Sequence, residues 1–132
     1  MITRKLAVVL AASFALLMAG CRIAPVYNVN SDAINSSKAN LTMSDVNKAI
    51  TRAGAALGWQ IQETGPGHMI GTLNLRTHVA VVDIAYDTKA FSITYKDSTD
   101  LQYNAAQGEI HKNYNGWVQN LENGIRTQLS LL

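Results

Sequence analysis

The feature that most restricts the fold of this chain is a series of short runs in which apolar and polar residues alternate. Alternation with a period of two places every second side chain on the same face of a β-strand. Turn-forming residues separate the runs, as in Thr64–Gly67 and Asp87–Lys89. The runs follow one another at residues 59–63, 69–75, 79–86 and 91–95. Because the links are short, the pattern predicts a four-stranded antiparallel meander.

A stretch with helical periodicity lies on each side of the predicted strands. Thr42 and Asp45 have the spacing of a capping box at the start of the first helix. The apolar stripe of this helix comprises Val46, Ile50, Ala53 and Leu57, and that of the second comprises Ile110, Tyr114, Trp117, Leu121, Ile125 and Leu129. A sheet with one apolar face buries two such stripes when both helices cover that face. We therefore predict an α+β fold of order α-β-β-β-β-α, with both stripes buried against Phe91, Ile93 and Tyr95.

The first 20 residues have the organisation of a secretory signal peptide. Arg4 and Lys5 form a short positive region, and the 14 residues 6–19 carry no charge. A run of that length is shorter than the roughly 18 apolar residues that a bilayer-spanning helix requires. The small residues Ala19 and Gly20 come immediately before Cys21, the single cysteine of the chain. We expect residues 1–20 to be cleaved.

The sequence Leu17-Met18-Ala19-Gly20-Cys21 resembles the lipobox of bacterial lipoproteins, with Met18 at a position where leucine is common. The resemblance implies that the thiol of Cys21 receives a diacylglycerol and that Cys21 becomes the acylated, palmitate-bearing N-terminus. Two acyl chains suffice for stable attachment to a membrane. Arg22 follows the cysteine in place of aspartate, which in this family implies the outer membrane, facing the periplasm. The alternative is an ordinary signal peptide followed by a buried free thiol, which is unusual in an oxidising envelope.

Residues 21–40 differ in composition from the rest of the mature chain. Asparagine and serine dominate this segment, and their side chains favour turns over regular elements. We predict a lipidated flexible tether over residues 21–40, with a root-mean-square reach of roughly 25 Å. A globular α+β domain is predicted over residues 41–132. The alternative is that residues 23–29 dock on the domain as an edge strand.

Charge and cysteine content exclude several classes of function. The formal net charge of +2 comes from 11 Lys and Arg against 9 Asp and Glu, and cleavage removes Arg4 and Lys5. The mature chain therefore balances its basic and acidic side chains. Nucleic-acid binding requires clustered Lys and Arg that displace counterions, and the sequence has no such cluster. We expect no nucleic-acid partner, and a single cysteine excludes an intrachain disulfide.

The histidines and the glycine-rich turn do not form a recognisable catalytic or metal-binding motif. His68, His78 and His111 lack the short spacing of a chelating pair. No Gly-x-Ser-x-Gly nucleophile elbow occurs in the chain. Gly65-Pro66-Gly67 precedes a predicted strand, whereas a phosphate-binding loop leads into a helix. The sequence therefore predicts no metal site and no phosphate site.

Asp83 and Asp97 are the acidic residues best placed for chemistry. Asp83 lies within a predicted strand, either on the solvent face opposite Arg76 or Lys96 or buried with a shifted pKa. Asp97 adjoins Ser98, and such hydroxyl–carboxylate pairs usually form turns. General acid–base catalysis needs a second positioned group, and the sequence identifies none. We therefore predict that the protein is not an enzyme and binds no cofactor.

The predicted outer face of the sheet is polar and poor in bulky side chains. The residues expected on it are Thr72, Asn74, Arg76, Ser92, Thr94 and Lys96. A solvated face is normal for a two-layer antiparallel sheet, and the alternative is a docking surface for an envelope protein. We predict a membrane-anchored, non-catalytic binding or assembly module of the periplasm. The alternative function is a small envelope hydrolase or ligand-binding enzyme.

The mature chain resembles other envelope proteins at two levels. Its predicted layout resembles the helix-grip and related small folds of several envelope lipoproteins. Residues 91–98 and 110–117 resemble segments of small proteobacterial lipoproteins. These resemblances imply a lipoprotein with a small α+β domain, and they imply no activity, because one fold supports many functions.

Overall fold

The computed structural model describes residues 22–132, so Cys21 and the predicted signal peptide lie outside the described residues. In chain order the elements are β1 (Ile23–Pro25), β2 (Val29–Ala33), α1 (Met43–Ala56), β3 (Trp59–Gly65), β4 (His68–Leu75), β5 (His78–Tyr86), β6 (Ala90–Thr99), β7 (Glu109–His111) and α2 (Lys112–Ser130).

The main sheet has five strands in the order β2-β6-β5-β4-β3, and every neighbouring pair is antiparallel. The meander of β3 to β6 confirms the predicted α+β class and the predicted strand segments. The predicted count of four strands is wrong, because β2 adds a fifth at the edge beside β6. A separate small sheet pairs β1 with β7, with Ile23 opposite His111.

The predicted flexible tether does not describe residues 23–33, which form β1 and β2. Val29 pairs with Ile93 and is 3% exposed, so this segment contributes to the core. The polar residues around it have partners elsewhere in the fold: Asn28 Oδ1 accepts from the Tyr95 N–H at 2.9 Å, and Arg126 Nε donates to Asp32 Oδ2 at 2.7 Å. A short edge strand needs few inward apolar residues, and its composition therefore resembles that of a loop.

Helix α1 begins at the predicted capping box. The Asp45 N–H donates to Thr42 Oγ1 at 3.1 Å, and the Thr42 N–H donates to Asp45 Oδ2 at 3.0 Å. Val46, Ala49, Ile50 and Ala53 form its buried stripe. Leu57 does not continue the stripe as predicted: it caps the helix C-terminus and is 41% exposed. The helix ends there because Gly58 adopts a φ of +86°, which reverses the chain direction.

Helix α2 buries a stripe slightly different from the predicted one. Its buried apolar residues are Tyr114, Val118, Leu121, Ile125 and Leu129. Val118 takes the place predicted for Trp117, which is only partly buried at the border of the core. The Trp117 ring packs beside His78, with ring centroids 6.1 Å apart. The predicted stripe begins too early, since Ile110 belongs to β7.

Both helices pack on one face of the main sheet, as predicted. That face carries Met69, Leu73, Val82, Ile84, Phe91 and Ile93, all of them buried, whereas Tyr95 is only partly buried. Gly54 permits the close approach of α1, because a Cβ atom there would lie 2.5 Å from Ile61 Cγ1. The helices also contact each other, since a Cβ atom on Gly124 would lie 3.6 Å from Ala53 Cβ in α1. The opposite face of the sheet carries no helix among residues 22–132.

Candidate functional site

Most of the residues predicted for the outer face lie on it, in two groups on either side of β5. Thr72 on β4 faces Val81, while Ser92 and Thr94 on β6 face Ala85 and Asp83, so β5 separates the two groups. Arg76 is not on a strand at all: it lies in the β4–β5 turn with a φ of +58°. Asn74 is an exposed residue of β4, next to the end of the strand. The predicted placement on the outer face is therefore correct for all of these residues except Arg76, and their role in binding stays a prediction.

The centre of the outer face is also less polar than the sequence suggests. β5 places Val79, Val81, Asp83 and Ala85 there, and all four are partly exposed. Asp83 pairs with Lys96 across the sheet, with 3.6 Å between Asp83 Oδ1 and Lys96 Nζ. Lys96 reaches this position because a β-bulge occurs where Val81 pairs with Asp97 and Val82 with Tyr95. Asp83 is thus a solvent-facing carboxylate paired with Lys96, one of the two predicted alternatives.

Concave surface concentrates at one end of the main sheet. We call this the crevice end; it carries the β3–β4 turn at Pro66–Gly67 and the β5–β6 turn at Asp87–Lys89. Three adjoining hollows of about 380, 270 and 410 Å³ lie there. Neighbouring hollows share residues, since Met43 and Tyr86 border the first two, and His68 and Ser92 border the last two. We call these three adjoining hollows together the turn-end crevice.

The first part of the crevice lies between the start of α1 and the β3–β4 turn. Asn47 Nδ2 donates to the Tyr86 hydroxyl at 2.9 Å, and the Tyr86 N–H donates to the Gly67 carbonyl at 2.9 Å. Gly67 has a φ of +75°, and a Cβ atom there would lie 2.8 Å from the Tyr86 carbonyl oxygen. The wall is thus fixed by hydrogen bonds, while Met43 remains 38% exposed beside it. An exposed methionine offers a flexible apolar surface that adapts to a ligand.

The last part of the crevice lies on the outer face of the sheet around Ala85. His68 and Ser92 pair with Ala85 from either side. Two interstrand spacings, roughly 10 Å, therefore separate their backbones. Asp83 and Thr94 also border this hollow. The small Ala85 side chain leaves a floor between a histidine on one wall and hydroxyl groups on the other.

Two of the three histidines have structural contacts. His78 Nδ1 lies 2.7 Å from the Asp100 carbonyl oxygen and therefore donates to it. His111 Nδ1 accepts from the Asn113 N–H at 3.2 Å, which caps α2. His68 and His78 lie at opposite ends of the sheet. Within residues 22–132 no group of three or more His, Cys, Asp or Glu residues is arranged to hold a metal ion.

Asp97 and Ser98 organise their own strand locally. The Ser98 N–H donates to Asp97 Oδ1 at 2.8 Å, and the Ser98 and Tyr95 hydroxyls lie 2.7 Å apart. The pair lies within β6 and not in the turn that the sequence predicts, and its hydrogen bonds remain within that strand.

The crevice residues that sequence reasoning missed are Met43, Asn47 and Tyr86. The available signals were an exposed methionine at the start of a helix and the sequence Gly65-Pro66-Gly67, which forms a rigid turn. Neither signal identifies a crevice, because the walls come from segments that are distant in the chain.

No protein-family model, curated protein or solved structure matches this chain. Neither helix within residues 22–132 has the length and apolarity that crossing a bilayer requires. The proposed function therefore rests on the residues of this chain alone.

Proposed function

We propose that this protein is a lipid-anchored, non-catalytic binding or assembly module of the bacterial cell envelope. Cys21 carries the lipid, the outer membrane holds the anchor, and the domain faces the periplasm. The support for the anchor is the predicted signal peptide and the lipobox resemblance at residues 17–21. The binding site of the module is the turn-end crevice.

The observation that supports a binding role is the combination of apolar and polar groups in the turn-end crevice. Its first part combines the exposed apolar surface of Met43 and Pro66 with polar groups of Ser44, Asn47 and Lys48. A hydrophobic surface with a few fixed polar groups suits a ligand that inserts one apolar side chain and hydrogen-bonds around it. A protein partner of the envelope has this chemistry.

A small envelope hydrolase is the second candidate, because His68, Asp83 and Ser92 border one hollow. The contacts of these residues favour binding instead. Ser92 Oγ already accepts from the Ser31 N–H at 2.9 Å, and Asp83 pairs with Lys96. A nucleophilic serine needs a base within hydrogen-bonding distance, whereas about 10 Å separates the backbones of His68 and Ser92.

Site-specific photocrosslinking in intact cells tests the binding role. A photoreactive residue at Met43 should crosslink one discrete envelope protein, and the same residue at Gln119, exposed on α2, should not. Ala85→Trp, which fills the outer hollow, should weaken the crosslink. Thr72→Trp, a bulky change on the same face outside the hollow, is the matched control. Equal crosslinking from Met43 and Gln119 would count against the crevice as the binding site.

Two further measurements separate anchoring from catalysis. Cys21→Ala should abolish palmitate labelling and release the protein from the membrane fraction; a variant that stays in that fraction, with an unlabelled wild type, would refute the anchor. The purified protein should hydrolyse no ester, peptide or glycoside substrate. A turnover that disappears in His68→Ala would replace the binding role with the hydrolase.

A further inference from the structure

The first described residue, Arg22, is attached to the folded domain by its own backbone. The Lys112 N–H donates to the Arg22 carbonyl at 2.8 Å. The next residue, Ile23, begins β1 and pairs with His111 of β7. Since Arg22 follows Cys21 directly in the sequence, no chain remains between Cys21 and the domain that could act as a tether.

Several contacts fix this N-terminal segment on α2. The Tyr27 N–H donates to Asn115 Oδ1 at 2.9 Å, and Asn115 Nδ2 donates to the Pro25 carbonyl at 2.8 Å. The Tyr27 hydroxyl donates to Glu122 Oε1 at 2.7 Å, although Glu122 lies 95 residues later in the chain. Backbone and side-chain contacts thus connect the segment to the helix over more than one turn.

The attachment point lies at the end of the sheet opposite the crevice. The His111 N–H donates to the Leu101 carbonyl at 2.8 Å, and His78 Nδ1 contacts the carbonyl of the neighbouring Asp100. His78 begins β5 beside the β4–β5 turn, whereas Tyr86 at the other end of β5 borders the crevice. A strand of that length extends roughly 30 Å.

We infer that the domain lies directly on the lipid headgroups in one fixed orientation, with the start of α2 and the β4–β5 turn against the membrane and the turn-end crevice pointing into the periplasm. This inference rests on the proposed lipidation of Cys21. Arg22, Arg76 and Lys112 are exposed on the membrane side and form no salt bridge within residues 22–132. Their charges suit anionic phospholipid headgroups, and one exposed carboxylate, that of Asp100, lies at the same end.

Labels at two heights above the membrane test the orientation. The acylated full-length mature protein is inserted into vesicles of phosphatidylethanolamine and phosphatidylglycerol that carry a quencher on the headgroup. Asn113→Cys in the first turn of α2 and Lys89→Cys in the β5–β6 turn each accept a fluorophore, since both residues are exposed and the only other cysteine is lipidated. We expect quenching at position 113 to exceed quenching at position 89 several-fold.

Three other outcomes of the quenching experiment would each refute the inference. Equal quenching at both positions, with the protein bound to vesicles, would overturn the fixed orientation and leave the lipid anchor standing. Stronger quenching at position 89 would reverse the orientation and likewise refute the inference. Acylated protein that does not bind the vesicles would overturn the anchor and the inference together.

An insertion variant tests whether the missing tether is responsible. Ten Gly and Ser residues placed between Arg22 and Ile23 would add a reach of roughly 17 Å. The quenching at position 113 should then fall toward the value at position 89, while the thermal midpoint of the domain changes little. Unchanged quenching in this variant would refute the role of the direct attachment.

Discussion

The buried hydroxyl of Tyr114 gives a sharp test of how the core is packed. Tyr114 is 0% exposed, and its hydroxyl has no hydrogen-bond partner within residues 22–132. Burial, followed by the nearby Tyr95 and Tyr103 hydroxyls, raises the pKa of Tyr114 well above its usual range. The Tyr95 ring packs edge-on against it at a centroid distance of 5.7 Å. The ring of Tyr114 therefore stabilises the core while its hydroxyl destabilises it.

Removal of the hydroxyl should increase the stability of the protein. An unpaired buried hydroxyl costs about 1–3 kcal/mol. Tyr114→Phe removes that cost and leaves a void of roughly 12 Å³, which costs about 0.3 kcal/mol at the usual dependence on cavity volume. The net gain in the free energy of unfolding is about 0.7–2.7 kcal/mol. In a domain of this size each kcal/mol corresponds to roughly 4 °C in the thermal midpoint.

Thermal and urea unfolding of the mature chain with Cys21→Ser, which removes the lipid, measures this gain. Tyr86→Phe is the matched control, because Tyr86 is also buried but its hydroxyl accepts from Asn47 Nδ2. That change should cost about 0.5–1.5 kcal/mol, the usual net value of a hydrogen bond. If Tyr114→Phe lowers the midpoint as Tyr86→Phe does, the Tyr114 hydroxyl has a partner and the reasoning is refuted.

Three further predictions concern the helices. Gly54→Ala should destabilise the protein by about 1–2 kcal/mol, because the added methyl group overpacks against β3. Gly116→Ala should instead stabilise it by up to ~1 kcal/mol, because a Cβ atom there meets nothing within 4 Å. Denaturant unfolding measures whether each change in stability has the expected direction. A hydrogen bond from Lys38, which has the largest effect, and another from the Thr42 N–H lower the pKa of Asp45 from 3.8 to about 2. The stability from the ionised carboxylate is therefore present above about pH 4 and lost as the pH falls toward 2. Asp45→Asn should reduce the pH dependence of the unfolding midpoint in that interval. An unchanged pH dependence would contradict this. Trp117→Ala should destabilise the protein less than Leu121→Ala, because Trp117 is partly exposed. For Leu121→Ala a loss of about 2–5 kcal/mol is expected. If urea unfolding shows a larger loss of stability for Trp117→Ala, the Trp117 ring belongs to the core.

Local sequence patterns determined the strands of the meander and the two helices. The alternation at residues 79–86 predicts β5 because each inward position is apolar, and these positions are buried. The Thr42–Asp45 capping box predicts the start of α1 because both of its hydrogen bonds form within four residues. Such signals depend on neighbouring residues alone, so they are readable without the tertiary structure.

Contacts between segments that are distant in the chain determined the other strands and the candidate site. The sequence of either segment alone does not reveal such a contact. Residues 23–33 have the composition of a tether, yet pairing of Val29 with Ile93 and of Ile23 with His111 makes them strands. Trp117 fits the helical stripe, but the rotation of α2 on the sheet buries Val118 instead. The turn-end crevice likewise exists only where α1, Pro66–Gly67 and Tyr86 meet. The sequence by itself determined the four-stranded meander and the two helices, whereas the packing of remote segments determined the remaining strands, the attachment of Arg22 and the candidate site.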